Sequence, residues 1–353
     1  MSPLHVAIVS RYARRGDGQG RANLEIASRA LAEGLAVTLL ADEVDSELLK
    51  SGARWIPVRP KVRGNDLAYG VESVLRATRA LRGMAVRPDI VHGYGWTLEG
   101  RHDVNTAQFV HSAWRRHAMH PSRSNHGPYA TYQWLYSALN AWGERRAFAR
   151  ARRVVGASST IREELTRWGR VPADRVDVVL NGVDPDQFHP GAVDRSTLGL
   201  PANVPLALFA GDIRTGRKNL DTVLRGLARC PGIHLAVVGR LAGSPWPALA
   251  QALGIADRVH FLDFRSDIPD LMRAADCFVF PSRYEACALV LLEALASGLP
   301  VITAHTTGGA ETVVDAAGIR LPDAEDDGAL ADALHAVFAD SDRRRSMGEA
   351  ARA

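Results

Sequence analysis

The amino-acid sequence predicts an α/β protein built from two doubly wound domains, each around a mostly parallel sheet. The chain has 353 residues, which is too long for one ordinary core and suits two domains of about 150 to 200 residues each. Short apolar runs alternate with longer amphipathic segments, as in repeated strand–helix–strand units. The alternation starts again after the turn-rich segment 181–191, so we place the domains at 1–181 and 182–353.

Apolar runs predict the strands, and amphipathic stretches predict the helices. In the first half the predicted strands are 5–9, 36–40, 90–92, 106–110, 153–155 and 176–179, and the predicted helices are 21–33, 67–82, 129–149 and 159–168. In the second half the strands are 206–210, 234–238, 259–262, 277–280 and 301–303, and the helices are 219–230, 246–253, 268–274 and 289–297. Doubly wound folds bind ligands beyond the carboxyl ends of their strands, so we expect the two domains to face a central cleft.

The composition predicts a cytoplasmic protein without a metal centre. No run approaches the roughly 18 apolar residues of a membrane-spanning helix, and the first residues lack the pattern of a secretory signal. The three cysteines, Cys230, Cys277 and Cys287, show no CxxC spacing, so we expect reduced thiols. A cluster of histidines in the first half consists of His92, His111, His117, His120 and His126, but their spacing matches no metal motif and no carboxylate or thiolate accompanies them.

Charge is distributed unevenly along the chain. Residues 1–180 carry 27 basic against 17 acidic residues, whereas the remainder carries 16 against 22. A basic half invites an acidic partner such as a phosphorylated acceptor, an anionic lipid surface or a nucleic acid, but solvated helix faces explain it equally well. Nothing resembles a known nucleic-acid-binding motif. In the segment 111–153, aromatic residues alternate with arginines, a pattern that suits binding to an anionic membrane surface. Alternatively, the segment is a helix whose aromatic side chains lie in the core and whose arginines are solvated.

The segment 283–294 follows a predicted buried strand and runs into an apolar helix. The beginning of a helix offers unpaired N–H groups and a positive dipole end, which suit a phosphate, and the small Ala286 and Ala288 allow a close approach. Glu285 precedes the turn, and Glu293 is a carboxylate on an otherwise apolar helix that could accept hydrogen bonds from sugar or ribose hydroxyls. A pairing of Glu293 with a nearby arginine is the alternative.

Two further loops follow predicted strands. In 211–220, Arg217 and Lys218 would neutralise a diphosphate leaving group, unless they only flank a helix start. In 14–21, three evenly spaced glycines lack the offsets of a dinucleotide fingerprint but suit a loop close to phosphate. His111, after the strand 106–110, is the histidine best placed for a cleft, with a core or surface histidine as the alternative. The chain contains neither a GxSxG elbow nor a P-loop, which argues against common hydrolases and kinases.

Together these segments resemble family 4 glycosyltransferases, which have the two-domain GT-B fold, over nearly the whole chain. The matching motifs are Asp17-Gly18-Gln19-Gly20-Arg21, Pro88-Asp89-Ile90-Val91-His92, Asn181-Gly182-Val183-Asp184 with Phe188, Gly211 with Arg217-Lys218, Ala275-Asp276 with Pro281-Ser282, and Glu285 with Glu293 followed by Gly298-Leu299-Pro300-Val301. Within the family, the Arg-Lys loop and the segment 285–294 are most similar to those of lipopolysaccharide-core hexosyltransferases.

The resemblance implies a retaining, metal-independent enzyme without a cofactor, which moves a hexose from a nucleoside diphosphate sugar, with UDP expected, to a glycan, glycolipid or small-molecule acceptor. It implies cell-surface polysaccharide assembly, with the enzyme cytoplasmic or peripheral on the inner membrane face. By this resemblance Glu285 binds the sugar hydroxyls and Glu293 binds the ribose. Arg217 and Lys218 bind the diphosphate together with the backbone of Cys287, Ala288 and Leu289, and Gly18 binds phosphate from the other domain. His111 lines the reacting face of the sugar, and the backbone of Asp267 and Ile268 lies near the base.

The sequence departs from the family pattern at four places. The usual double glycine of the first loop is Asp17-Gly18, and the usual Glu-Gly-Phe-Gly reads Glu-Ala-Cys-Ala from Glu285. One extra residue in the Arg-Lys loop leaves Arg214 and Arg217 both as candidates for the phosphate arginine. A final helix that crosses back onto the first domain is expected in the family and not found here. Two other functions stay open, a nucleotide-sugar epimerase of the same fold and a nucleotide-sugar-binding protein without turnover.

Overall fold

The computed structural model describes residues 3–15, 18–62, 64–124 and 126–353. The chain divides into two compact units, Met1–Asn181 and Gly182–Ala353. The division falls at the start of the turn-rich segment. No described helix is long and apolar enough to cross a membrane.

The first unit is an open α/β sheet with helices on both faces. Its described strands are β1 His5–Val9, β2 Tyr12–Ala13, β3 Ala36–Ala41, β4 Glu43–Val44, β5 Arg54–Pro57, β6 Ile90–Tyr94, β7 His102–Ala107, β8 Ala151–Gly156 and β9 Val176–Val178. Its described helices are α1 Gly18–Ala32, α2 Ser46–Lys50, α3 Asp66–Arg82, α4 His111–Trp114, α5 Pro121–Ser124, α6 Pro128–Arg150 and α7 Ser159–Arg167.

The main sheet of the first unit has seven parallel strands in the order β5-β3-β1-β6-β7-β8-β9. Strand order therefore reverses between β1 and β6, which is the switch point at which doubly wound sheets bind ligands. Alternate residues of β1 enter different cores. Ile8 packs in the cluster that contains Leu24 of α1, whereas Val9 packs in the cluster that contains Ala77 of α3.

The second unit repeats this plan. Its described strands are β10 Leu206–Ala210, β11 His234–Val238, β12 Val259–Phe261, β13 Cys277–Phe280, β14 Val301–Ala304 and β15 Gly318–Leu321, and its helices are α8 Leu220–Ala228, α9 Trp246–Ala252, α10 Ile268–Ala274, α11 Leu289–Ala296, α12 Asp327–Phe338 and α13 Ser341–Arg352. The six strands are parallel in the order β12-β11-β10-β13-β14-β15. The switch point of this sheet lies between β10 and β13.

Both central strands of the second unit are buried along their whole length. Every residue of β10 and of β13 is buried, which accounts for their continuous apolar sequences. The loops after β10 and its neighbour β11 come close because they contain glycine. A Cβ atom on Gly239 would lie 2.1 Å from the carbonyl oxygen of Gly211, so no other residue fits there.

The predicted α/β class is confirmed, and most predicted elements are present with bounds within one to three residues of those expected. The predicted strand 106–110 is wrong, because β7 runs from His102 to Ala107. The first residues of this strand are mostly polar, so the sequence did not indicate where it begins. In the folded unit His102 and Asn105 are buried and lie 2.9 Å apart, from Nε2 to Nδ2, so the interior of this strand is partly hydrogen-bonded.

Four kinds of element were not predicted. They are the short paired strands β2 and β4, the outer strands β5 and β15, the short helices α2, α4 and α5, and the helices of the final segment, α12 and α13. The three cysteines are free, as expected, with Cys230 and Cys277 buried and Cys287 half-buried.

Candidate functional site

The candidate site of the second unit lies at its switch point. One loop follows β10 and ends in a 3₁₀ turn, Gly216–Lys218, and the other follows β13 and leads into α11. Arg217 and Lys218 come from the first loop, and Glu285 comes from the second. The sequence separates these residues by more than sixty positions, and the parallel sheet brings them together.

Glu285 is held by two cations. Nη1 of Arg217 donates to Oε1 of Glu285 at 2.6 Å, and Nζ of Lys218 donates to Oε2. Arg217 also donates to the carbonyl oxygen of Tyr284 at 3.2 Å. The Lys218 ammonium lies 5.3 Å from the centroid of the Phe280 ring, at the end of β13. The cluster therefore carries one carboxylate against two cations and has a net positive charge.

Because the cluster is largely buried, its charges interact strongly with one another and with a bound ligand. The Glu285 side chain is 15% exposed and that of Lys218 is 11% exposed. Burial alone would raise the pKa of Glu285, but the charges of Lys218 and Arg217 outweigh burial and lower it. Burial lowers the pKa of the Lys218 ammonium, and the Glu285 carboxylate opposes that shift. An ionised Glu285 can accept hydrogen bonds from hydroxyls, and the excess positive charge can attract a phosphate.

The backbone around Glu285 is fixed by a second set of contacts. Gly308 donates its N–H to the carbonyl oxygen of Glu285 at 3.1 Å, and Ala288 donates to the carbonyl oxygen of Gly308 at 2.9 Å. A Cβ on Gly308 would lie 2.1 Å from the carbonyl oxygen of Ala286, so only glycine permits this approach. Ser282 donates its hydroxyl to the carbonyl oxygen of Arg217 at 3.1 Å and joins the two loops.

The first turn of α11 lies next to Glu285 in the chain. Its N-cap residue, Ala288, has no side chain that can cap the helix, so this residue offers no oxygen to the positive end of the dipole. Cys287 and Leu289, whose backbone is predicted to bind phosphate, flank this position. Glu293 lies within α11 and is half-buried.

The remaining predicted residues of the donor site lie on other loops and helix ends. Arg214 forms a two-pronged ion pair with Asp212 at 2.9 and 3.0 Å and is largely exposed, so the structure groups Arg217, and not Arg214, with Glu285. Asp267 is the N-cap residue of α10, and its side chain pairs with Arg265, while Ile268 begins that helix. Gly18 is the exposed first residue of α1 in the first unit. Gly16 and Asp17 lie outside the described residues.

In the first unit His111 begins α4 and lines a cavity of about 280 Å³ at the switch point between β1 and β6. Its partner is Glu144 of α6, which is buried. Nδ1 of His111 lies 2.5 Å from Oε1 of Glu144, and the backbone N–H of His111 donates to Oε2 at 2.9 Å. Sequence reasoning missed Glu144. The available signal was a lone carboxylate among the buried positions of α6, such as Ala141, Ala147 and Phe148.

Among residues 3–15, 18–62, 64–124 and 126–353, no group of three or more His, Cys, Asp or Glu side chains is arranged to hold a metal ion.

The two units match two family models in turn. The model described as "Glycosyltransferase Family 4" matches residues 16–187, and the model described as "Glycosyl transferases group 1" matches residues 192–353. The chain belongs to the family 4 glycosyltransferases. The resemblance inferred from the motifs is thereby confirmed.

A curated relative of this family 4 glycosyltransferase is the "D-inositol 3-phosphate glycosyltransferase" of Mycolicibacterium smegmatis. The two are 35% identical over 210 residues, which cover 57% of this chain and 48% of the relative. The chain thus spans about half the length of the curated relatives it matches.

Two solved structures share the fold of this family 4 chain. WaaG, a glycosyltransferase involved in lipopolysaccharide biosynthesis, gives a TM-score of 0.78 at 23% identity and covers 99% of this chain and 94% of its own. HepE from Anabaena, solved in complex with UDP-glucose, gives a TM-score of 0.67 at 18% identity, with 99% and 93% covered. These neighbours confirm the GT-B fold class.

Proposed function

We propose that this chain is a retaining glycosyltransferase, which moves a hexose from a nucleoside diphosphate sugar to a hydroxyl of a glycan or glycolipid. UDP is the proposed nucleotide, in keeping with the UDP-glucose complex of HepE. The observation that carries the proposal is the buried Glu285 carboxylate held by Arg217 and Lys218 at the switch point of the second unit.

The chemistry follows from the charges of this cluster. Arg217 and Lys218 bind the diphosphate and stabilise the negative charge that it gains as the bond to the sugar breaks. Glu285 then exchanges part of its contact with the cations for hydrogen bonds from sugar hydroxyls, and its lowered pKa keeps it ionised for this. The leaving phosphate oxygen takes the proton of the acceptor hydroxyl on the same face of the sugar, which retains the anomeric configuration.

The other predicted residues contribute binding. In this proposal the backbone from Cys287 to Leu289 receives phosphate oxygens at the start of α11, and Glu293 accepts from the ribose. Asp267 and Ile268 contact the base through their backbone. The first unit contributes Gly18 and the cavity beside His111. No divalent metal is needed, since the two cations supply the charge that a metal would bring to the diphosphate.

Cell-surface polysaccharide assembly is the proposed setting, with the enzyme on the inner face of the membrane. The support is a set of three exposed aromatics on α6, Tyr129, Trp134 and Trp142, with arginine guanidiniums over the two indoles. Indole rings favour the membrane interface, and arginines attract anionic headgroups.

The experiment that tests the function begins with UDP-, GDP- and ADP-hexoses in a thermal-shift screen, since a tight ligand raises the melting temperature. The stabilising donor is then incubated with the chain and an acceptor mixture, and its products are separated. Transfer of the hexose with retained configuration supports the proposal. Isomerised donor would indicate an epimerase, and stabilisation without any turnover would indicate a binding protein, and either result would contradict transfer.

A further inference from the structure

The cavity of the first unit has a charge pattern that the proposed function does not explain. It lies at the carboxyl ends of β1 and β6, where a doubly wound sheet binds its ligand. Its volume of about 280 Å³ is near the lower limit of small-molecule pockets, roughly 300 Å³, so it suits one monosaccharide-sized ring.

Carboxylates dominate the charged lining. Three of them, Asp42, Asp66 and Glu144, face one guanidinium, that of Arg11. Asp42 and Glu144 are buried, and Asp66 is exposed at the beginning of α3. Asp66 and Tyr136 both line the cavity, and burial raises the pKa of Tyr136, with a smaller contribution in the same direction from the charge of Asp66. The basic excess of the first half therefore lies outside this cavity.

Arg11 is itself engaged. Its guanidinium lies 4.3 Å from the centroid of the Tyr69 ring and 5.1 Å from that of Tyr12. The Tyr69 hydroxyl donates to Oδ2 of Asp42 at 2.6 Å. The Arg11 guanidinium therefore makes cation–π contacts with two tyrosine rings. The Asp42 carboxylate accepts one hydrogen bond from Tyr69 and can accept further hydrogen bonds from a ligand.

The neutral part of the lining suits a ring with hydroxyls. Aromatic side chains of Tyr69, Trp96, Phe109 and Tyr136 line the cavity and can pack against the apolar face of such a ring. Tyr94, at the end of β6, also lines it.

We propose that this cavity binds a neutral polyhydroxylated ring, a sugar or a cyclitol, as the reacting group of the acceptor and discriminates against the same ring carrying a phosphate. This inference rests on the proposed function and specifies its acceptor. Hydroxyls donate to the three carboxylates, whereas a phosphate would meet them as a like charge in a partly buried site. Phosphates on distant parts of a glycolipid acceptor stay outside the cavity.

The test measures release of the nucleoside diphosphate from the donor by the full chain. Probes are myo-inositol and methyl hexosides, each compared with its monophosphate. We expect the neutral ring to accelerate release at least about tenfold more than its phosphate, which is the effect of roughly 1.4 kcal/mol of repulsion. Equal or greater acceleration by the phosphorylated ring would overturn the inference.

Charge variants provide the second arm. Asp66→Lys, at an exposed position, should shift the preference toward the phosphorylated ring, whereas Asp174→Lys, an exposed carboxylate outside the cavity, should leave the preference unchanged. An unchanged preference in Asp66→Lys would contradict the inference. Saturation-transfer NMR of the same rings, with and without UDP, reads binding without turnover. Neutral-ring signals in a chain that transfers no sugar would refute the proposed function alone, and their absence in both conditions would refute the cavity assignment.

Discussion

Glu144 accepts two hydrogen bonds from one residue, His111. The backbone N–H donates to Oε2 at 2.9 Å, and the imidazole Nδ1 lies 2.5 Å from Oε1. A carboxylate oxygen at this distance accepts from Nδ1–H, so in the neutral imidazole Nε2 is the acceptor nitrogen. Glu144 therefore sets both the orientation and the tautomer of His111 and acts as a positioning residue.

Replacement of this carboxylate should reduce turnover more than donor binding. In Glu144→Gln the amide can still accept from the backbone N–H, but it no longer enforces the Nδ1–H tautomer. We expect kcat to fall about tenfold to a hundredfold with little change in the donor KM, which corresponds to roughly 1–3 kcal/mol. Steady-state kinetics measure this, with the exposed Glu163→Gln as the matched control. A changed donor KM with an unchanged kcat would rule out the positioning role.

Transfer should persist when divalent metals are removed. Arg217 and Lys218 provide the positive charge for the diphosphate, so EDTA should leave the rate within about twofold of the untreated enzyme. The measurement is the initial rate after incubation with EDTA and buffer exchange. Loss of transfer that magnesium or manganese restores would show that the two cations do not suffice.

Acid should weaken the first unit through His92. Burial, with a smaller contribution from the charge of His102, lowers the pKa of His92 to about 4 from its ordinary 6.5. Its folded-state pKa lies below the unfolded value, so the stability contributed by the neutral ring is present above pH 6.5 and is lost as pH falls toward 4. The loss in the free energy of unfolding is roughly 3 kcal/mol at most, because a tenfold change in a proton-binding constant corresponds to about 1.4 kcal/mol.

Denaturant unfolding at several pH values between 7 and 4 measures this slope. His92→Gln should flatten it, because the amide can replace the 2.8 Å contact of Nε2 with the Thr106 hydroxyl but does not titrate. The half-exposed His5, on β1 of the same unit, serves as the control in His5→Gln. The same pH slope in His92→Gln as in the wild type would mean that other groups cause the acid sensitivity.

Anionic vesicles should retain the chain at low salt. Trp134 and Trp142 of α6 are about half-exposed, and Arg115 and Arg146 lie over them at 4.8 and 4.6 Å from the ring centroids. Each basic residue near an anionic membrane contributes on the order of 1 kcal/mol, and salt screens it. Trp134→Ser with Trp142→Ser should reduce sedimentation with vesicles severalfold, whereas the exposed Leu75→Ser of α3 should not. Equal partitioning to neutral and anionic vesicles, with no effect of salt, would contradict membrane binding and indicate that the acceptor is soluble.

The sequence predicted the central strands best. The bounds of β1, β10 and β13 were predicted correctly, because strands buried on both faces are continuous apolar runs. Prediction failed where polar side chains are buried in pairs, as at His102 and Asn105 of β7, since neither residue alone indicates a strand.

The components of the site were recognisable one at a time, but their pairing was not. Glu285, Arg217 and Lys218 were each proposed from a loop after a strand, and the sheet order makes them neighbours. The pairing of Arg214 with Asp212 depends on local loop geometry, and that of His111 with Glu144 joins residues 33 positions apart. Such pairs depend on packing between elements, which periodicity and spacing do not describe.

The most direct test of the account compares two arginines of the same loop. Arg217 belongs to the Glu285 cluster, whereas Arg214 pairs with Asp212 and is largely exposed. The transfer rate of Arg217→Ala should be roughly a hundredfold lower, which corresponds to an activation free energy higher by about 3 kcal/mol. The size of the effect is taken from enzymes that lose one hydrogen-bond donor to a developing negative charge. Arg214→Ala should remain within about twofold of the wild type, and both variants should keep the wild-type melting temperature within a few degrees. Near-wild-type transfer by Arg217→Ala, with or without a loss in Arg214→Ala, would contradict the assignment of the Glu285 cluster as the donor phosphate site.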